Sequence, residues 1–215
     1  MRPFKILITI ASIFSASILV AQNAASSDSR NDFQFGIKGG INYSNLYDVS
    51  AQNFSANALL GPVFGGFLSI PLGTYLGIQP EVLYSAKGYS GQGTDLINGP
   101  YSYTDRINFL DVPLMLQLKP SPTVYILGGP EYSYLLSNSY TFTQNETSST
   151  EQQNFKNDNL RRNVFGLIFG LDLNFNQWTI GGRVAWDLQD NNVNGTSTLP
   201  RYRNVWGQLT LGFRI

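Results

Sequence analysis

FQFGIKGGINYS, residues 33–44, alternates apolar and polar positions: Phe33, Phe35, Ile37, Ile41 and Tyr43 share one side of an extended chain, and Gln34, Lys38 and Asn42 the other. A period of two predicts a β-strand with one apolar face, but does not say whether that face lines a core or meets lipid. The same alternation predicts eight strands, at 33–43, 60–70, 75–87, 107–119, 124–136, 162–175, 178–188 and 205–215. The cleanest is 178–188, with Trp178, Ile180, Val184, Trp186 and Leu188 opposite Thr179, Arg183 and Asp187. In 60–70, Val63 and Phe67 interrupt the pattern. Almost no segment reads as helix.

The connections alternate as regularly as the strands. Three are tight and built from turn formers: PLGT (71–74), PSP (120–122) and Asn176-Gln177. Four are long and polar (44–57, 88–105, 137–161 and 189–204), and they follow the first, third, fifth and seventh strands, so all leave the same end of the sheet. Short turns at one end and long loops at the other are the asymmetry of an outer-membrane barrel. The expected fold is therefore all-β: an eight-stranded antiparallel up-and-down transmembrane barrel, with both termini periplasmic and the long loops extracellular.

Charge placement decides which face meets lipid. The strand charges Lys38, Glu81, Lys87, Asp111, Lys119, Glu131, Arg162, Asp172, Arg183, Asp187 and Arg214 all fall on the polar faces, where they predict a lumen network of pairing charges. A Lys or Arg on the lipid face at mid-bilayer would cost about 2–4 kcal/mol. Aromatics gather at strand ends as two girdles: Phe33, Phe35, Tyr75, Phe175, Trp178 and Phe213 near the short turns, and Tyr43, Tyr84, Tyr132, Tyr134 and Trp186 near the long loops. The last strand runs to the terminus as an alternating tail, Leu209, Leu211, Phe213, Ile215. The alternative is a soluble secreted lipocalin-like barrel, the same strands turned inside out around a small apolar ligand; loop asymmetry and girdles count against it.

Composition adds a compartment. Met1, Arg2 and Lys5 precede an apolar run over 6–20, which reads as a signal peptide of residues 1–21. Residues 22–32 then form a periplasmic extension and 33–215 the barrel domain. Removing Arg2 and Lys5 takes 14 basic residues to 12 against 14 acidic, and no basic patch calls for nucleic acid. There is no cysteine for a disulfide or a lipid anchor. After cleavage no apolar run is long enough for a transmembrane helix, so a membrane form must be a closed sheet.

Four segments, FGIKGGIN (35–42), QPEVLYSAKG (79–88), FLDVPLMLQLK (109–119) and ILGGPEYSYLL (126–136), in this order and spacing, resemble the PorT-like outer-membrane β-barrel proteins of Bacteroidetes. The resemblance spans the mature chain. It implies a small outer-membrane barrel and, for the family's namesake, a part in protein secretion through the type IX system.

Candidate chemistry is sparse. Histidine is absent from the chain, so the histidine base of outer-membrane barrel enzymes has no counterpart, and neither catalysis nor a cofactor is expected. Glu81, Asp111 and Glu131 share one predicted interior and read as charge balance for Lys38, Lys87, Lys119 and Arg183. DNNVNG (190–195) matches the first half of a calcium loop, but its twelfth position is Arg201 instead of glutamate, so no metal site is expected. Asn-x-Ser/Thr triplets at Asn42, Asn53, Asn145 and Asn194 carry no weight in a bacterial envelope protein. An eight-stranded lumen is filled by side chains, which argues against a porin. What remains is a monomeric, non-enzymatic barrel in outer-membrane lipid that acts by contact, in an envelope or secretion assembly or through its loops. Tyr89, Tyr101, Tyr103, Phe142, Phe155 and Tyr202 are the loop aromatics expected to touch a partner.

Overall fold

The structure, a computed structural model, describes residues 28–47, 56–95, 99–144, 147–152, 161–191 and 202–215. The expected signal peptide, Asn53, Asn145, Phe155, Asn194 and most of the calcium-like loop lie outside the described residues. The strands are β1 (Gln34–Tyr47), β2 (Asn57–Pro71), β3 (Leu76–Asp95), β4 (Gly99–Leu118), β5 (Val124–Gln144), β6 (Thr147–Gln152), β7 (Asn163–Phe175), β8 (Trp178–Asp187) and β9 (Arg203–Arg214). All pairings are antiparallel. β1 joins both β2 and β9, and β4 joins β5, so among the described residues eight strands close a ring. The ninth, β6, stands outside it: β7 pairs with the lower half of β5, Val124 to Tyr134, and β6 with the upper half, Ser139 to Gln144.

The ring is apolar outside and polar inside. On β1, Phe35, Ile37, Ile41 and Tyr43 are each about half exposed, while Lys38 and Asn42 are buried. The apolar band on β1 runs from Phe35 to Tyr43, about 26 Å of strand and roughly 20 Å of height once the strand is tilted. This outward apolar band counts against a soluble barrel with an apolar cup. Tight connections sit at one end; at the Asn176-Gln177 turn, Asn176 takes φ 50°, a conformation Asn tolerates better than most residues.

Three details depart from the alternation. Val63 and Phe67, which blurred the second strand, point inward and are buried. Phe67 fits because Gly36 faces it: a Cβ at Gly36 would fall 2.6 Å from the Phe67 ring. The interior therefore holds an apolar wall, Met115, Tyr125, Leu127, Ile168, Ala185 and Trp206, beside its charges. Finally, the long loops expected at 88–105 and 137–161 are largely strand. β3 and β4 continue, paired, to Asp95 and Gly99, and β5 to Gln144. Backbone pairing needs no apolar face, so these extensions lost the lipid-driven pattern while keeping the ladder.

At the short-turn end the chain seals the ring. A short 3-10 helix, Ser29–Asn31, lies across the mouth. Lys119 Nζ donates to the Arg30 carbonyl at 2.9 Å, the Arg30 guanidinium sits 5.1 Å from the Tyr75 ring centroid, and Gln34 donates to the Ser29 carbonyl at 3.0 Å. Replacing Lys119 with alanine should speed amide exchange over residues 28–33 severalfold without unfolding the ring; unchanged exchange would show that the segment is held by other contacts.

Candidate functional site

Alternation brings β1, β3, β4, β5, β7 and β8 charges to one interior, and their spacing lets them pair. Lys38 Nζ lies 2.5 Å from Glu81, which also accepts from Gln79 at 2.6 Å. Arg183 lies 2.7 Å from Asp172 and 3.9 Å from Glu81. Higher in the lumen, Lys87 Nζ lies 2.9 Å from Asp111 and 3.4 Å from Glu131, with its ammonium 3.4 Å from the Trp206 ring centroid and 5.0 Å from that of Phe109. Ser133 donates to Asp111 at 2.6 Å. The side chains of this network are almost wholly buried, so it holds the ring together and presents nothing to solvent. Lys119 and Arg214 belong to the short-turn mouth instead, where Arg214 donates to Gln34 at 3.0 Å. Asp187 accepts from the Asn204 side chain at 2.6 Å, near the other mouth.

Arg162 departs from the expectation. It has the inward parity of β7 but precedes Asn163, past the end of the ring, and is exposed. Among the described residues no cluster of three or more His, Cys, Asp or Glu side chains is arranged to hold a metal ion. Asp190, the first residue of the calcium-like loop, is engaged by Arg203 at 2.9 Å.

The loop aromatics converge at the long-strand mouth. Tyr89, Ile107, Phe109, Leu135, Val164 and Tyr202 form a buried cluster above the charge network. Tyr89 meets Tyr202 edge-on at 5.3 Å and Tyr103 at 6.3 Å between ring centroids. Beneath them Asp105 is buried, pairing across the ladder with both Tyr89 and Tyr140. It stands five residues beyond Leu110, which is level with Tyr84 at the edge of the apolar band.

Burial pushes the Asp105 carboxyl up to about 7, against hydrogen bonds from Tyr89, Asn138 and Tyr202 that pull it down. The folded mouth thus holds a proton between pH 3.8 and about 7 that the unfolded segment has released. Its stability is greatest at low pH and falls as pH rises through this window, by on the order of 4 kcal/mol in all. Amides around Asp105 should accordingly exchange faster at pH 8 than at pH 5.5 after correction for intrinsic rates, and Asp105→Asn should flatten the difference. A profile unaltered by the substitution would assign the pH dependence elsewhere.

Beyond the mouth, β3 to β6 continue as a projecting tip sheet. Tyr101, Tyr103, Tyr140 and Phe142 share one face of it, the face continuous with the lumen. Tyr101 and Phe142 are near-parallel at 5.8 Å, and Tyr103 and Tyr140 at 6.3 Å. Opposite them β3 offers Gly91 and Gly93, and a Cβ at Gly93 would fall 2.5 Å from the Tyr101 ring. Of the six expected aromatics, Tyr89 and Tyr202 are buried in the cluster and cannot touch a partner directly, whereas Tyr101, Tyr103 and Phe142 keep exposed surface at the tip. Tyr140 completes the tip set and was missed; its position two residues before Phe142, like Tyr101 before Tyr103, was the available signal.

The model of one protein family, described as an outer membrane protein beta-barrel domain, matches residues 20–192. No curated protein sequence matches the chain. Among solved structures, Ail, the attachment invasion locus protein of Yersinia pestis, is 11% identical over 86% of this chain and 99% of Ail, with a TM-score of 0.52. Ail in complex with the heparin analogue sucrose octasulfate is 10% identical over the same shares, with a TM-score of 0.51. At such identity the likeness concerns the fold.

Proposed function

The chain belongs to the outer membrane protein beta-barrel domain family, and from that membership we propose a non-enzymatic barrel that works by contact, through the sheet it projects beyond the membrane. In this reading residues 1–21 are a cleaved signal peptide, 22–32 a periplasmic extension and 33–215 the barrel domain. The short turns and both termini face the periplasm, the tip sheet faces outward, and the barrel is a monomer in outer-membrane lipid. The observation that carries the proposal is the contrast between a lumen occupied by paired charges and capped by Arg30 and Lys119 at one end, and a tip whose aromatics are only half buried.

The chain lacks cysteine, which makes orientation easy to test. Ser149→Cys, exposed on β6, should react with a membrane-impermeant maleimide on intact cells, whereas Thr74→Cys in a tight turn should react only after lysis. The reverse labelling would overturn the orientation.

A second reading, membership of the PorT-like branch with a role in an envelope or secretion assembly, is supported by the four resembling segments. These segments supply Lys38, Glu81, Lys87, Asp111 and Glu131 of the internal charge network and Lys119 of the short-turn mouth. Recovery of the tagged barrel in a stoichiometric complex with secretion components would favour this reading. Polysulfate binding of the kind Ail's complex displays is not proposed for the tip, because 99–104, 139–144 and 147–152 contain no Lys or Arg.

A further inference from the structure

We propose that the inner face of the tip sheet is a binding platform for an uncharged oligosaccharide. The inference rests on the contact reading above and names its ligand class. Four rings gather on this face in two stacked pairs, Tyr101 with Phe142 and Tyr103 with Tyr140, each ring half buried with surface left to solvent. Gly91 and Gly93 keep the β3 side flat, so Tyr101 lies across bare backbone. On the other side β6 brings Ser149 opposite Phe142 and Thr147 opposite Gln144, both exposed. Their outward neighbours Thr143 and Ser148 bond to each other at 2.9 Å, which fixes the register and therefore which hydroxyls share the ring face.

The chemistry of this face selects among ligands. An aromatic face carries negative quadrupole charge and attracts the weakly positive C–H groups on one side of a sugar ring. Flanking hydroxyl and amide groups exchange hydrogen bonds with the sugar's own hydroxyls. A phosphorylated or sulfated ligand would require cations, and the stretches 89–95, 99–104, 139–144 and 147–152 hold two charged residues, both acidic, Asp95 and Glu151. An aliphatic peptide would require apolar pockets, whereas register places Gln144, Thr147, Ser149 and two acidic positions, Asp95 and Glu151, on the ring face beside the aromatics. Tyrosine also gives contact area with little side-chain entropy to lose, as paratopes exploit.

The test uses the full barrel in lipid nanodiscs, titrated calorimetrically with cellohexaose, maltohexaose and chitohexaose, and with a heparin hexasaccharide as the charged comparison. At least one neutral hexasaccharide should bind, and Tyr101→Ala with Phe142→Ala should weaken it by about tenfold or more, two stacked rings being removed. Tyr101→Phe, which keeps the ring, should retain most of the affinity. The ring's integrity is read in parallel from heat-modifiable gel mobility, which these tip substitutions should leave unchanged. Binding of the heparin fragment alone, or neutral binding that survives the double substitution, would overturn the proposal. So would no sugar binding at all; if a tip-dependent protein partner were then captured from outer membranes, the contact reading would stand without the sugar, and if none were, both would fall.

Discussion

Replacing Lys87 with methionine should destabilise the barrel by about 3–5 kcal/mol, the range found when one partner of a buried ion pair is removed. Lys87 is the cation nearest both Asp111 and Glu131, at 2.9 and 3.4 Å, and all three side chains are buried. Methionine keeps much of the stem that passes Trp206 and Phe109, so the loss is electrostatic more than steric. Two carboxylates would be left in a buried interior, facing each other across Ser133. The converse follows from the same argument: Lys87→Met combined with Asp111→Asn and Glu131→Gln removes the stranded charges and should recover most of the stability, since neutral groups of matching shape cost little where an ion pair has been removed whole. Urea unfolding in lipid vesicles checks both variants. A single substitution as stable as the parent would show that water or another cation compensates the carboxylates; a triple no better than the single would assign Lys87's role to packing on Trp206.

How far the sequence discloses this architecture follows from where the membrane imposes a pattern. Within the band, lipid forces apolar residues onto every outward position, so Phe35 to Tyr43, Trp178 to Trp186 and Leu209 to Phe213 are legible as strands with the correct faces. The interior is less constrained. Charges there are conspicuous, but Val63, Phe67, Leu83, Leu127 and Ile168 are apolar too, and inward apolar residues read as noise in the alternation. Beyond the band both faces of a strand can be wet, and the apolar signal ends while pairing continues. That is why 99–105 and 137–144 read as loops although their ladders run unbroken apart from one register shift at Asn108/Phe109. Arg162 shows the complementary limit: parity assigned it inward, but parity says nothing about where the ring stops. The aromatic site was half legible, since residue type marked Tyr101, Tyr103 and Phe142 as candidates, and only strand register could reveal that they tile one face.

The glycines separate barrel closure from lipid contact, and a pair of alanine substitutions should expose the difference. Gly40 stands where the first strand meets the last, paired with Val63 of β2 and Thr210 of β9. A Cβ there would fall 1.9 Å from the Leu209 carbonyl oxygen and 2.8 Å from the Thr210 Cα, both backbone, so no side-chain rearrangement relieves the clash. Gly65 repeats the geometry one pairing further, with the Val82 carbonyl oxygen at 2.0 Å. Strands in so narrow a ring coil tightly enough that backbone approaches backbone, and only glycine fits between them. Gly182 is different: it points outward within the apolar band, and nothing lies within 4 Å of its added Cβ. Gly40→Ala should therefore prevent closure of the β1–β9 seam, giving a chain that keeps unfolded mobility on unheated gels or loses roughly 3 kcal/mol or more, the upper range for backbone and packing defects. Gly182→Ala should fold normally and gain up to about 1 kcal/mol from reduced freedom of the unfolded chain. Equal behaviour of the two variants would mean that the seam relaxes without cost and that the glycine at residue 40 is not what lets the ring close.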